Sequence, residues 1–313
     1  MTLDMTLVVQ DADLVANGIR SLRLGRPDGG PLPRYVPGSH LVVECGDGRR
    51  NAYSLTGSGT ASTEYRISVL HKPDGRGGSS WMHRVPVGDT VRVTAPRSAF
   101  APVATARRHL LIAGGIGVTP LLSHTRAAAE WGRPFTLLYG YRPGAGAHLD
   151  ELRELCGTRL REFPEQAPFI GALRQELRRQ PLGTHVYVCG PGGLIDAVCE
   201  MARDAGWPDE RVHAERFSAD DLDPGVPFTA RLARSGRAVG VPTGVSLLDA
   251  LEKAGIAVPN MCRQGVCGEC RVGVRTGRAE HRDLFLSAAE RAAGDSVMCC
   301  VSRSLDEELE LDL

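Results

Sequence analysis

Cys262-Arg263-Gln264-Gly265-Val266-Cys267-Gly268-Glu269-Cys270, with Cys299-Cys300 near the end of the chain, decides how this sequence is read. Three cysteines spaced C-x4-C-x2-C, with a solitary fourth, form the donor pattern of a two-iron, two-sulfide cluster. Two irons bridged by sulfides need four thiolates arriving from two sides. A loop carrying three wraps one side, and a strand residue supplies the last. Gly265 and Gly268 let the backbone come close and aim N–H groups at sulfur. The alternative is a structural zinc site. Zinc knuckles usually carry two short C-x2-C pairs, and this chain has one. Adjacent strand residues face opposite sides, so only one of Cys299 and Cys300 can point at the cluster.

The rest of the composition frames that loop. Of nine cysteines, four stand alone at 45, 156, 189 and 199 and five fall between 262 and 300. A secreted disulfide framework spreads its cysteines through a small chain, so a terminal cluster reads as a metal site in a reducing compartment. The 313 residues suggest two or three domains. The 37 basic residues balance 37 acidic ones, which argues against a nucleic-acid footprint or a polybasic membrane surface. The longest charge-free apolar run, Leu110 to Leu122, carries three glycines and a proline and is too short to span a bilayer. The N-terminus has acids where a signal peptide needs a basic region, so the expected location is the cytoplasm.

Upstream of the cysteines, residues 1–103 read as an antiparallel β-barrel. Short runs such as Leu41–Val43, Tyr65–Val69 and Thr90–Val93 are separated by turns at Pro37-Gly38, Gly46-Asp47-Gly48 and Val87-Gly88-Asp89. Residues 104–218 change to an alternating order. Strands are expected at His109–Ala113, Phe135–Tyr139, His185–Cys189 and Arg211–Phe217. Helices are expected from Thr119 to about Trp131 and near 149–156, 172–179 and 192–205. This implies an α/β doubly wound parallel sheet. Thr119 fits an N-cap and Pro120 the first helical position. Residues 219–226 are acidic and turn-rich and read as a linker. Residues 227–313 carry strands at Phe228–Ala233, Arg237–Val241, Cys270–Val274, Val297–Val301 and Leu309–Leu313. Ser246/Asp249 and Ser287/Glu290 have capping-box spacing, so each opens a helix in this α+β unit.

Two further regions have the chemistry of a cofactor site. Gly115-Ile116-Gly117 after a buried strand suits a phosphate at a helix N-terminus. It lacks the third glycine of the dinucleotide fingerprint, since Pro120 stands there, and no acidic partner follows the next strand. Alone it reads equally as a tight strand-to-helix turn. In the barrel, Arg50-Asn51-Ala52-Tyr53-Ser54-Leu55 offers a cation, an aromatic ring and a hydroxyl. Asp74-Gly75-Arg76-Gly77-Gly78-Ser79 is a glycine-rich turn suited to a terminal phosphate. Taken singly, these read as a core tyrosine and a surface hairpin.

In this order the motifs resemble the phthalate dioxygenase reductase family, which includes the vanillate demethylase and carnitine monooxygenase reductases. The resemblance runs through Asn51–Leu55, Gly75–Ser79, Gly114–Pro120, His185–Pro191, the cysteine loop, Ala279–Asp283, Cys300–Arg303 and the terminal Leu311-Asp312-Leu313. It implies an FMN-binding barrel of the ferredoxin-reductase type, an NAD-binding α/β domain and a β-grasp [2Fe–2S] domain of plant-type ferredoxin kind. It implies FMN contacts at Asn51, Tyr53, Ser54, Val69, Arg76, Gly77, Gly78 and Ser79, with Ser54 near the flavin N5. Thr119 and Phe217 are implied beside the flavin ring. Gly115, Gly117, Tyr139, Arg142, Cys189, Gly190 and Pro191 are implied around the nicotinamide dinucleotide. It selects Cys262, Cys267, Cys270 and Cys300 as cluster ligands. Two positions depart from the family. Asn51 stands where many relatives have a phosphate-binding Arg, with Arg50 one residue back, and Leu70 replaces a lysine of some relatives.

The implied function is an NADH-dependent reductase passing electrons from NADH to FMN to [2Fe–2S] and then to a Rieske-type terminal oxygenase. Ser54, Thr119, Cys189 and Phe217 then line the hydride-transfer region. Same-chemistry service to a cytochrome P450 is the alternative, and a non-catalytic zinc protein a distant one. The sequence leaves NADH against NADPH open, and family habit favours NADH. A monomer without nucleic-acid or membrane partners is expected.

Overall fold

The computed structural model describes residues 5–46, 48–60, 63–75, 77–98, 100–179, 181–217, 223–265, 267–283 and 285–313. Arg76, Ser218 and residues 219–222 of the expected linker lie outside the described residues. The chain divides into two units, one ending at Phe217 and one spanning Ser218–Leu313.

The first unit opens with β1 (Met5–Ala16), β2 (Ile19–Gly25), β3 (Ser39–Glu44), β4 (Arg50–Ser54), β5 (Glu64–Leu70), the short helix α1 (Gly78–Met82), β6 (Thr90–Val93) and β7 (Arg97–Ser98). The strands pair in the order β4-β3-β6-β1-β2-β5, all antiparallel, with β7 on β3. A bridge from Leu55 to Ile67 joins the two ends of this order, giving the expected barrel. Period-two alternation drives it. In β6, Thr90 and Arg92 face out while Val91 and Val93 enter a core with Leu7, Leu22, Leu41 and Ile67. Each such side chain contributes about 1.5–3 kcal/mol on burial.

The same unit continues through β8 (Arg108–Gly114), α2 (Val118–Glu130), β9 (Phe135–Gly140), α3 (Leu149–Cys156), β10 (Leu160–Phe163), α4 (Gln166–Arg178), β11 (Thr184–Cys189), α5 (Gly192–Asp204) and β12 (Val212–Glu215). The sheet is parallel in the order β10-β9-β8-β11-β12. Leu111, Leu137 and Tyr187 pack on one face and Ile112, Leu138 and Val188 on the other, so helices cover both. The chain steps outward from β8 to β10 and then returns to place β11 on the other side of β8. That reversal makes a crevice at the carboxyl ends of β8 and β11. Four points of the expected pattern are corrected here. Edge strand β10 was not anticipated, the fourth helix begins at Gln166 rather than 172, and β12 is shorter than Arg211–Phe217. Thr119 is also not an N-cap. A 3-10 turn over Gly115–Gly117 starts the helix earlier, and the Thr119 hydroxyl donates inside it to Ile116 O at 3.0 Å.

The second unit contains β13 (Phe228–Leu232), β14 (Ala238–Val241), α6 (Leu247–Lys253), β15 (Arg271–Thr276), β16 (Ala279–Glu280), α7 (Ala288–Ala293), β17 (Ser296–Met298), β18 (Arg303–Ser304) and β19 (Glu308–Leu311). Its mixed sheet runs β14-β13-β19-β15-β17, with β13 and β19 parallel, and β16 pairs with β18. Ser287 and Glu290 form a complete capping box on α7. At α6 the Ser246 hydroxyl accepts from Asp249 N, while the Asp249 carboxylate turns to that hydroxyl. The expected strand Val297–Val301 ends at Met298, so Cys299 and Cys300 occupy the turn after β17. The described end of the linker is fastened. Asp223 O accepts from Arg282 at 2.5 Å and Val226 O from Arg303 at 3.0 Å. Among the described residues, no helix is long and apolar enough to cross a membrane.

Candidate functional site

The cysteine loop is folded around close backbone contacts. Gly265 has φ +74°, and a Cβ there would lie 2.7 Å from a Val301 methyl and 3.1 Å from Asp283 Cα, so only glycine fits. Asp283 is enclosed beneath the loop. Its carboxylate accepts from Phe285 N at 3.1 Å, Leu286 N at 2.8 Å and the Ser302 hydroxyl at 3.2 Å. Arg303 donates to Val245 O at 2.6 Å and Pro242 O at 3.1 Å. The segments Ala279–Asp283 and Cys300–Arg303 thus form the bed on which the loop rests.

The four thiols are buried and meet as two pairs. Cys262 hydrogen-bonds Cys267, and this holds the Cys267 thiol down at about 6. Cys300 hydrogen-bonds Cys270 and lowers it, while the proton left on Cys300 becomes harder to remove for the same reason. Cys299 is fully enclosed, and burial pushes its thiol up. Among the described residues no three His, Cys, Asp or Glu side chains converge as a single-ion site. Two thiol pairs, Cys262 with Cys267 and Cys270 with Cys300, suit a cluster in which each of two irons takes two cysteines. They suit a single tetrahedral zinc less well.

At the crevice of the parallel sheet, backbones approach closely. A Cβ on Gly117 would collide with the Cys189 carbonyl, and Gly190 packs on Gly114. Gly115, at φ +53°, has open space where its side chain would be. Pro191 precedes α5, and Phe217 follows β12 and packs with Ile116 against the same core. Cys189 is fully buried, which raises its thiol, with the Glu215 carboxyl as the next cause. Tyr139 is fully buried, its hydroxyl accepting from Ala147 N at 3.0 Å. Arg142 is exposed beyond β9, and its guanidinium has no ion-pair partner among the described residues.

On the barrel, Tyr53 sits opposite Leu41 and its hydroxyl accepts from Asn51 Nδ2 at 3.2 Å. Burial pushes the phenol up. Ser54 is buried at the end of β4. Val69 points into the barrel core, and its carbonyl contacts His83 Nε2 at 2.8 Å. Gly77, at φ +94°, caps α1, and a Cβ on Gly78 would collide with Asn51 Nδ2. The Ser79 hydroxyl accepts from Lys72 N at 3.1 Å. Asn51, Tyr53 and the glycine turn therefore lie together.

Residues 230–304 match the family described as 2Fe-2S iron-sulfur cluster binding domain, and residues 90–212 the dimethylamine monooxygenase subunit DmmA-like, N-terminal domain. The chain is 44% identical over 284 residues to the heme-dependent oxidative N-demethylase beta subunit of Ectopseudomonas mendocina (strain ymp), covering 90% of each. Solved phthalate dioxygenase reductase, described as modular for electron transfer from pyridine nucleotides to [2Fe–2S], aligns with a TM-score of 0.76 at 35% identity. That alignment covers 99% of this chain and 98% of the other. The chain belongs to the phthalate dioxygenase reductase-like family. An intact type IV self-sufficient cytochrome P450 monooxygenase also aligns, with a TM-score of 0.78 at 35% identity over 98% of this chain and 41% of that one. This family member is an NAD(P)H-dependent oxidoreductase with a flavin- and nicotinamide-binding reductase fold and a [2Fe–2S] cluster-binding domain.

Two residues of this reductase escaped sequence reasoning. Arg49, rather than Arg50, lies by the glycine turn, with Nη1 2.8 Å from where a Gly77 Cβ would be. Arg50 faces the other way and pairs with Glu44 at 3.4 Å. The alternation along the strand from Arg49 through Asn51 to Tyr53 is the signal that finds it. Glu215 is the second. It is buried opposite Cys189, its Oε2 lacks a hydrogen-bond partner among the described residues, and burial pushes its carboxyl up to about 8. Leu70, the other departure from the family, packs with Ile116 and Leu149 against the core of the α/β part.

Proposed function

We propose that this protein is the NADH-dependent reductase component of an oxygenase system. Electrons from NADH pass by way of FMN and a [2Fe–2S] cluster to a separate terminal oxygenase of Rieske type. The two-by-two pairing of Cys262 with Cys267 and Cys270 with Cys300, in one chain with a flavin and nicotinamide reductase fold, carries this reading.

When bound, the flavin converts a two-electron hydride donor into a source of single electrons. The protein's part is placement. Cys262, Cys267, Cys270 and Cys300 would hold the cluster, the first two as one pair and the last two as the other. Ser54, Thr119 and Phe217 would line the flavin ring, with Ser54 on the side of its reacting edge. Gly115, Gly117, Gly190 and Pro191 leave room for the dinucleotide backbone, Arg142 offers it a cation, and Cys189 and Tyr139 back the nicotinamide pocket. Arg49, which lies 2.8 Å from where a Gly77 Cβ would be, would hold a terminal phosphate together with Asn51 and the Arg76–Ser79 turn, as a mononucleotide flavin such as FMN requires. Val69 and Tyr53 support the ring. Reduced thiols of this kind suit a cytoplasmic setting.

A haem-type partner is the second reading. It is favoured by the heme-dependent N-demethylase relative and by the alignment of 98% of this chain, at 35% identity, with part of a self-sufficient P450. Electron delivery to purified Rieske and haem oxygenases from neighbouring genes separates the two.

The reading is tested by the visible spectrum of the purified protein before and after anaerobic NADH, with chromatography of the released flavin. Flavin and iron–sulfur bands that bleach with NADH, and FMN in the extract, are expected. A colourless protein containing zinc would remove the reading. Kinetics with both nicotinamides decide NADH against NADPH.

A further inference from the structure

His148 and Arg263 are the two non-glycine residues with positive φ among the described residues. His148 is left-handed, at φ 60° and ψ 24°, immediately before α3. A bulky residue holds that conformation only where its surroundings over-determine it, and such positions gather at functional sites. Its imidazole is buried, with a side-chain exposure of 8%, and Nε2 lies 2.8 Å from the Ser68 hydroxyl of β5. Burial pushes the ring down to about 4, so it is neutral at physiological pH and suited to a hydrogen bond with a hydroxyl.

Ser68 belongs to the barrel and His148 to the α/β part, so this bond crosses between them. It closes one end of the loop that leaves β9. The other contacts of that loop also tie it down. Asn17 N donates to Gly144 O at 2.9 Å, Ala145 N to Arg142 O at 2.9 Å, and the Tyr141 hydroxyl to Glu162 at 2.7 Å. Arg126 reinforces the junction, pairing with Glu151 of α3 and donating to Thr56 O of the barrel at 2.7 Å. The loop so fastened carries the exposed Arg142 beyond the carboxyl end of β9, beside the crevice.

We propose that His148 is a positioning residue. Its bond to Ser68 latches the Tyr141–Ala147 loop onto the barrel and holds Arg142 in register with a nicotinamide dinucleotide. The proposal rests on the reading of that crevice as the nicotinamide site.

The test compares full-length, flavin-loaded wild type, Ser68→Ala, Arg142→Ala and the double variant. NADH-dependent reduction of ferricyanide gives KM and kcat, and flavin content and melting temperature are recorded. Losing the bond should raise KM for NADH about five- to tenfold with kcat within about twofold. In the Arg142→Ala background the second substitution should add nothing, because Ser68 acts through Arg142. His148→Gln, which keeps a donor at reach, should lie near wild type. An unchanged KM in Ser68→Ala, or additive effects with Arg142→Ala, would overturn the latch while leaving the nicotinamide reading intact. If NADH fails to reduce the wild-type flavin, that reading falls and the latch with it.

Discussion

The thiol of Cys300 hydrogen-bonds that of Cys270, whereas its neighbour Cys299 is sealed in the core and, among the described residues, hydrogen-bonds no other thiol. Two adjacent cysteines therefore have opposite expected phenotypes. Cys300→Ser should lose the cluster's iron and its visible bands. Cys299→Ser should keep both and lose about 1–3 kcal/mol of stability, the cost of burying an unpaired hydroxyl. Iron analysis and denaturant melts on the two variants check this.

Arg49 and Arg50 divide similarly by which way they face. Arg49→Ala should weaken FMN binding about tenfold or more while leaving riboflavin binding unchanged, since a charge-assisted contact to phosphate is lost. Arg50→Ala should change neither. Fluorescence titration of deflavinated protein with each flavin measures the four affinities. Equal loss for FMN and riboflavin would assign Arg49 a structural role.

Glu215 predicts how stability depends on pH. Its folded carboxyl is raised to about 8 against an ordinary value of 4.5. Between those values the folded state keeps a proton that the unfolded state has released, so stability falls as pH rises through this window. Glu215→Gln removes that loss. It should melt like wild type near pH 4.5 and be more stable than wild type at pH 8, by at least about 1 kcal/mol. Melting curves across the window check the sign, and an equal gain at both ends would contradict it.

The glycines of the strand-to-helix turn separate by environment. Gly117→Ala forces a Cβ into the Cys189 carbonyl and should disrupt the crevice, lowering melting temperature and NADH use together. Gly115→Ala meets no protein atom and costs only the left-handed penalty of about 1 kcal/mol in stability, but its methyl enters the space proposed for the dinucleotide, so it should keep a near-normal melting temperature while KM for NADH rises. Thermal melts and NADH oxidation rates on the pair distinguish them.

Much of this was legible because it is local. The cysteine spacing, the valine alternation of β6 and the Ser287–Glu290 box each declare their structure within a few residues. What was missed depends on pairing, burial or turn geometry that the local residue pattern does not declare by itself. Leu160-Arg161-Glu162-Phe163 has no strand pattern of its own, and pairing with β9 makes it one. Thr119 looked like a cap until the glycines before it closed a 3-10 turn. Arg49 sits in the turn just before β4, where Cys45 N donates to its carbonyl at 2.7 Å, and Glu215 owes its high affinity for a proton to burial beside β11. The strained backbone of His148 is invisible in sequence because the bond that sustains it comes from a different sheet.

Counting electrons tests the central claim most directly. Anaerobic titration with NADH should consume about 1.5 equivalents per wild-type chain, two electrons for a flavin and one for a [2Fe–2S] cluster, and about one equivalent in Cys300→Ser. Equal uptake by the two proteins would contradict the account.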